Sequence, residues 1–512
     1  MNRRLPRAVI GAVAAILAAT PLVGCDGSAT LVTVPATFDR PLPIPPLAES
    51  RVAADGTRVF QLTAQEGSRQ FIAGTPSPTW GYNGDYLGPT LRAARGEKVA
   101  VEFANRLPEA TTIHWHGMHL PAVMDGGPHQ MVEPGGTWRP MWTIDQPAAT
   151  LWYHPHPHGE TEQHVYRGLA GMFLLDDENS RMPGLPVEYG EDDIPVVVQD
   201  KDIAENGELL LDNDGNEIGL LGSTILTNGV VGAYHEVTTE SVRLRLLNGS
   251  TARTYNFGFA DDRIFELIAT DGGFLPAPYE TNRIRLSPGE RAEIVVRMQP
   301  GTTTRLRSFP PDLGSVVVPF AFGGKDSFDV LELRAAGQLK PSPALPARLA
   351  DVEEIDPATA SVMRRFELQD REINGKRMDM GRIDETVQVD TTEIWRVINR
   401  NPFPHNFHVH DVQFQVLSID GAPPPPELRG RKDTIYLEPR RQYEIIMRFE
   451  DYADSAFPYM YHCHLLLHED DGMMGQFVVV DGDAAASGSG RRVPAGHHHD
   501  HGHGHEDHGH DH

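Results

Sequence analysis

One stretch near the C-terminus, YHCHLLLHEDDGMM (Tyr461 to Met474), sets a cysteine between two histidines and follows it with another histidine and two methionines. Thiolate, imidazole and thioether are soft metal donors, and alternate residues of a β-strand point to opposite faces. Cys463 therefore faces away from His462 and His464. In HNFHVHD (His405 to Asp411), His405 has the opposite parity to His408 and His410, so it can meet Cys463 on one face, with His468 and Met473 closing over them from the following loop. Two histidines, a thiolate and a distant thioether are the donor set of a blue-copper electron-transfer centre. Zinc competes for these residues, but a structural zinc site takes four Cys or His ligands and has little use for methionine.

The other faces carry His-x-His pairs: His114 with His116, His154 with His156, His408 with His410, and His462 with His464. A single pair reads equally well as a hydrogen-bonded core or surface feature. Four pairs in corresponding places make that reading rare, and eight imidazoles converging from the first and third units could hold three metal ions, two of them close together. Cys463 would then receive an electron at its own copper, and its chain neighbours His462 and His464 would carry it to the ions on the opposite face.

The elements that must position these residues come in three copies. YNG (Tyr82 to Gly84), TNG (Thr227 to Gly229) and ING (Ile373 to Gly375) place their asparagines 145 and then 146 residues apart. Later in each unit come VEPGG, LSPGERAEI and LEPRRQYEI, beginning at Val132, Leu286 and Leu437. Short alternating runs such as VAVEFANRL, SVRLRLLNG and TEIWRVINR between Gly, Pro and Asn punctuation predict β-sandwich or Greek-key strands, with little helical periodicity. TTIHWHG (Thr111 to Gly117) and HNFHVHD occupy the place of YNFGFAD (Tyr255 to Asp261) in the middle unit, which has no histidine there. YHPH at Tyr153 likewise matches YHCH at Tyr461, with Pro155 in place of the cysteine. The scaffold thus persists without the histidines, so they are not there merely to fold it.

The 512 residues suffice for three such domains without disulfides, and a net charge of −26 repels nucleic acid and anionic membrane surfaces, so no nucleic-acid partner is expected. MNRRLPR followed by the apolar run Ala8 to Gly24, broken at Pro21, predicts an export signal rather than a membrane span. That run ends in LVGC, which resembles a bacterial lipobox. Cys25 would then be lipidated and become the mature N-terminus, placing the protein in the periplasm or on the cell surface; an ordinary signal peptide containing a cysteine is the alternative. Arg3 and Arg4 hint at twin-arginine export, weakened by Pro6. With Cys25 lipidated, Cys463 has no disulfide partner.

Taken together, HWHG, WYHPHPHG, HNFHVH and HCHLLLHEDDGMM resemble the four ligand motifs of multicopper oxidases. The surrounding GPTL, DGGP, DQPAAT and GLAG are similar to the bacterial three-domain branch of copper efflux oxidases and spore-coat laccases. The resemblance covers about Gly81 to Val480. It implies an all-β chain of three tandem cupredoxin-like Greek-key domains, and four copper ions. The type 1 ion would take His405, Cys463, His468 and Met473; the type 2 ion His114 and His408; the type 3 pair His116, His154, His156, His410, His462 and His464. One-electron oxidation of a reductant at type 1 would be coupled to reduction of dioxygen to two waters. Glu469 and Asp125 match family acids near the cluster, implying proton supply and water positioning, against the plainer reading of a loop acid or ion pair.

The expected domains are residues 1–25 (signal), 26–50 (Pro-rich tether), 51–184, 185–345 and 346–483 (cupredoxin domains, the middle one without copper ligands), and 484–512 (flexible linker and His-rich tail); a monomer is expected. The segment before His405 reads NRNPFP, without the Asp and Met residues that build the cuprous site of copper efflux oxidases, so phenols and aromatic amines are expected ahead of cuprous ion. MDMGRID (Met378 to Asp384) reads as a core strand or turn before a soft metal contact. The tail GHHHDHGHGHEDHGHDH interleaves histidine with Asp, Glu and Gly, which favours a metal-collecting arm over a cloning tag. His158 reads as a partner supporting the ligands; His119, His129, His164 and His235 read as surface or structural. A cuprous oxidase in copper detoxification and a copper-sequestering lipoprotein are the alternatives. Copper nitrite reductase is disfavoured by the paired HWH and HPH motifs, and cell-division relatives of the family lose the ligands that this chain keeps.

Overall fold

Alternating apolar residues in the strand runs leave each strand one face to bury, and the chain satisfies this with six sheets, two to each repeat. The computed structural model describes residues 37–482 apart from 73, 214 and 317; the expected signal, Cys25 and the His-rich tail lie outside these. In every domain a strand pairs in parallel with a later one across the first sheet: Arg58–Ile72 with Lys98–Asn105, Asp193–Lys201 with Ser241–Asn248, and Ala360–Gln369 with Thr391–Asn399. The second sheets repeat the device, pairing Leu91–Ala94 with Gly171–Asp176, Ala233–Thr239 with Phe328–Lys340, and Glu385–Gln388 with Met474–Val480. Each pair of sheets encloses its own apolar core, built around Phe103 and Phe173, Phe257 and Leu306, and Trp395 and Phe407 respectively.

The repeated asparagines have one physical task. Asn83, Asn228 and Asn374 all adopt positive φ, which asparagine tolerates better than most side chains. Each side-chain carbonyl accepts a neighbouring strand's N–H, from Thr63, Val197 and Glu367 at 2.7, 2.7 and 2.8 Å, and each amide donates back to the same strand. The register also aligns the metal motifs with their histidine-free copy, since His405 lies opposite Leu437 as Tyr255 lies opposite Leu286.

Two expectations change. The second half of the supposed tether is built into the fold: Arg40–Pro41 pairs in parallel with Ala233–Thr239, Phe38 and Leu42 are buried, and Leu47 bridges to Thr90. The Pro-rich composition suits an edge strand because proline has no N–H to offer a further neighbour. The second change concerns parity: the strands His405–Val409, Ala149–His154 and Asp454–His462 end inside the motifs, so His410, His156, Cys463 and His464 lie just beyond strand ends. Only His114–His116 is strand throughout its pair. MDMGRID forms the expected turn, tied to the last strand by Gln476, whose amide donates to the carbonyls of Asp379 and Arg382 at 2.9 and 2.8 Å.

Candidate metal centres

At the first centre, His405 opens its strand, Cys463 follows the end of the neighbouring one, and the short helix Leu466–Asp470 brings His468 back. Cys463 Sγ lies 3.4 Å from His405 Nδ1 and 3.5 Å from His468 Nδ1, and the two nitrogens are 3.0 Å apart. Met473 is buried beside them, its carbonyl accepting the N–H of Cys463 at 3.1 Å. His468 Nε2–H donates to the Glu217 carbonyl at 2.6 Å, which leaves its Nδ1 lone pair aimed at the sulfur. Burial pushes the thiol up to about 12 and the His468 imidazole down to about 4. A buried thiol facing bare imidazole nitrogens has the chemistry of a soft cation site, where coordination removes the thiol proton.

The second centre lies between the first and third domains. Trp152 and His154 pair with His116 and His114, while His408 pairs with His462. One nitrogen of most rings is already committed outward. His114 Nδ1–H donates to the Asp125 carbonyl at 3.0 Å, His408 Nδ1–H to the Asp433 carbonyl at 2.8 Å, and His154 Nδ1–H to the Pro155 carbonyl at 2.8 Å. The other nitrogens converge: His462 Nε2 is 3.2 Å from His156 Nε2 and 3.3 Å from His410 Nε2, and His116 Nδ1 is 3.4 Å from His154 Nε2. The Nε2 atoms of His114 and His408, and both ring nitrogens of His464, are buried without a hydrogen-bond partner. Facing lone pairs and orphaned nitrogens fit cations in this space and fit a packed core badly. The eight histidines of the four pairs are thus brought together.

Both expected acids are there. Asp125 Oδ2 accepts from His410 Nδ1 at 2.7 Å. Glu469 Oε1 and Oε2 lie 3.3 and 3.2 Å from the Nδ1 atoms of His156 and His462. Burial raises the Glu469 pKa, but the imidazoles of His156 and His462 outweigh it and hold the carboxyl well below its ordinary range. His158 is exposed, beyond the strand that ends at His154. His164 is structural, bonded to Thr111 and Glu109 at 3.0 and 2.8 Å, and His119 pairs with Asp411 at 2.8 Å.

Sequence reasoning missed Asp433, Thr434 and Arg291. Asp433 Oδ1 accepts from His116 Nε2–H at 3.0 Å, Thr434 Oγ1 lies 3.0 and 3.1 Å from His116 and His408, and Arg291 of the second domain forks onto Asp433. The available signal for Asp433 and Thr434 was a run of four polar residues, Arg431 to Thr434, leading into the strand Thr434–Leu437.

The buried imidazoles set an acid limit for the metal-free protein. Burial holds His116, His154, His405, His408 and His410 well below 6.5, and His156 and His464 at about 3. Below 6.5 the unfolded chain takes up protons that the folded chain refuses, so the imidazole contribution to stability falls as pH drops toward 3, by roughly 1 kcal/mol per pH unit for each such group. Glu162, raised to about 7, Asp271, raised to about 6, and Asp470, also raised by burial, act in the opposite sense, but they are fewer than the seven imidazoles. Urea unfolding of metal-free protein is expected to show a midpoint that falls steeply between pH 6 and 4.5.

Family models described as multicopper oxidase match residues 63–180, 214–305 and 348–483. The multicopper oxidase mco of Staphylococcus epidermidis is 36% identical over 85% of this chain and 92% of its own length. The cell division protein FtsP of Escherichia coli is 38% identical over 89% of this chain and 96% of its own. Among solved structures, a laccase from Pediococcus acidilactici superposes with a TM-score of 0.79 at 36% identity, covering 87% of this chain and 95% of that one. A laccase-like multicopper oxidase from Ochrobactrum sp., with oxidase activity towards lignin model compounds, gives 0.79 at 35% identity, covering 86% and 100%. With three matching domains and donor sets that converge in space, the chain belongs to the multicopper oxidase family, copper-binding oxidoreductases that use dioxygen.

Proposed function

We propose that the protein is a laccase-like oxidase of small phenols and aromatic amines, with one copper at the Cys463 centre and three at the eight-histidine centre. The observation that carries this reading is the position of Cys463: its sulfur faces His405 and His468, while the residues bonded to it on either side belong to the other centre. Bound copper supplies a one-electron couple at each centre. Four one-electron oxidations of reductant, with four protons, balance one dioxygen to two waters. The backbone from Cys463 to His462 and His464 provides a short covalent route between the centres. Glu469, ionised between two ligand histidines, accepts protons and passes them on, and Asp125 orients His114 and His410.

The substrate class rests on what surrounds the port. Both imidazoles of the first centre are buried, and the half-buried Phe403 ring lies 5.2 Å from His405 and 6.0 Å from His468. Phe322 stacks on Phe403 at 6.0 Å, giving an aromatic reductant a face to lie against. Asn401, not an acid, meets His405 Nε2, at 3.0 Å. We place the protein outside the cytoplasmic membrane, tethered through a lipid on Cys25, with its tail gathering further metal ions.

Dioxygen uptake by copper-loaded protein, with a methoxyphenol and cuprous ion compared at matched concentrations, tests the reading. Faster uptake with the phenol is expected. Faster uptake with cuprous ion would make copper detoxification the main activity, and no uptake with either would favour sequestration.

A further inference from the structure

We infer that the second domain, which contributes no copper ligand, builds part of the eight-histidine centre, with Arg291 as a positioning residue that fixes Asp433 against His116 and His408. The inference rests on the copper occupancy proposed above.

Arg291 is fully buried at the start of the strand Arg291–Arg297. Each of its five N–H groups has an acceptor. Nε donates to the Thr150 carbonyl at 2.9 Å; Nη1 to the Gly289 carbonyl and Asp433 Oδ1 at 3.1 and 2.7 Å; Nη2 to the Asp271 carbonyl and Asp433 Oδ2 at 3.0 and 2.6 Å. Thr150 belongs to the first-domain strand that ends at His154, and Asp433 to the third domain, so one guanidinium joins all three domains. The bidentate fork sets both the position and the plane of the carboxylate.

Asp433 in turn holds a ligand from each flanking domain: its carboxylate accepts from His116 Nε2–H at 3.0 Å and its carbonyl from His408 Nδ1–H at 2.8 Å. These bonds choose which nitrogen of each ring stays bare for metal. The second domain also touches the centre directly. Gly289 has φ of 84°, and a Cβ there would lie 3.2 Å from ring carbons of both His116 and His464. The backbone turn therefore sits against the two rings. By contrast, no bond of Arg291 or Asp433 reaches His405, Cys463 or His468.

The test uses full-length, copper-loaded protein carrying Arg291→Lys, Asp433→Asn or, as a control, Arg253→Lys. Lysine cannot reproduce the fork. Arg253 is another buried second-domain arginine, paired with Asp200 and Asp326. The measurements are copper retained against a chelator, the type 2 electron paramagnetic resonance signal relative to the blue type 1 absorption, and the melting temperature. Both centre variants are expected to hold copper at the eight-histidine centre about 10- to 100-fold more weakly, lowering the type 2 to type 1 ratio with the blue absorption intact, while the control keeps the wild-type ratio. Should Arg291→Lys fail to fold, Asp433→Asn decides alone. A wild-type ratio in the centre variants, or the same loss in the control, overturns the inference. Wild-type protein that shows blue absorption but no type 2 signal overturns the occupancy beneath it.

Discussion

Replacing Cys463 with serine is expected to abolish the blue absorption and to cut oxidation of every reductant by about 10³-fold or more, the scale on which an indispensable member of a catalytic unit acts. The sulfur lies 3.4 and 3.5 Å from two imidazole nitrogens, and no other thiolate is available among the described residues. Serine is smaller and leaves the backbone bond from Cys463 N–H to the Met473 carbonyl in place, so the fold survives. The eight histidines do not depend on that sulfur for position, and their copper, with its type 2 resonance signal, is expected to remain. Copper counting, absorption and dioxygen uptake on one preparation check this; retained activity would remove Cys463 from the electron route.

The second large effect concerns Glu469. Glutamine keeps the shape of the group between His156 and His462 but cannot cycle a proton. Reoxidation of reduced protein by dioxygen is expected to slow by about 10²-fold or more. Anaerobic bleaching of the blue centre by a methoxyphenol is expected to proceed at the wild-type rate, because the carboxylate faces the other centre, 3.2 to 3.3 Å from its histidines. Stopped-flow absorption separates the two half-reactions. Equal slowing of both would assign Glu469 a structural part, since its helix also carries His468.

What could be read from the sequence was local in the chain. His-x-His, His-Cys-His and the Asn-Gly turns each place their chemistry within a few residues, and a strand's alternation then fixes the facing. Even where strands stop inside the motifs, at His154 and His462, the Cys463 sulfur still faces His405 and His468 while His462 meets His156 and His410. Asp433 and Arg291 were not legible because they become partners only through packing between domains: 142 residues separate them, and Asp433 meets His116 across 317. Glu217, whose carbonyl takes the His468 N–H across 251 residues, is the same case, and so is the segment around Arg40, whose prolines resembled a spacer until its neighbouring strand was known. The outward exposure of His158 depends on where the chain turns after His156, and the repeating His-Pro pattern does not encode that.

The C-terminal placement of Cys463 and its neighbours has a consequence for biosynthesis. Chains emerge from the ribosome N-terminus first, and the segment from His462 to Met473 supplies three donors of one centre and two of the other. A nascent or prematurely terminated chain can fold its first two domains and still lack any port for electrons. The donors of the Cys463 centre are therefore complete only once the third domain has been made.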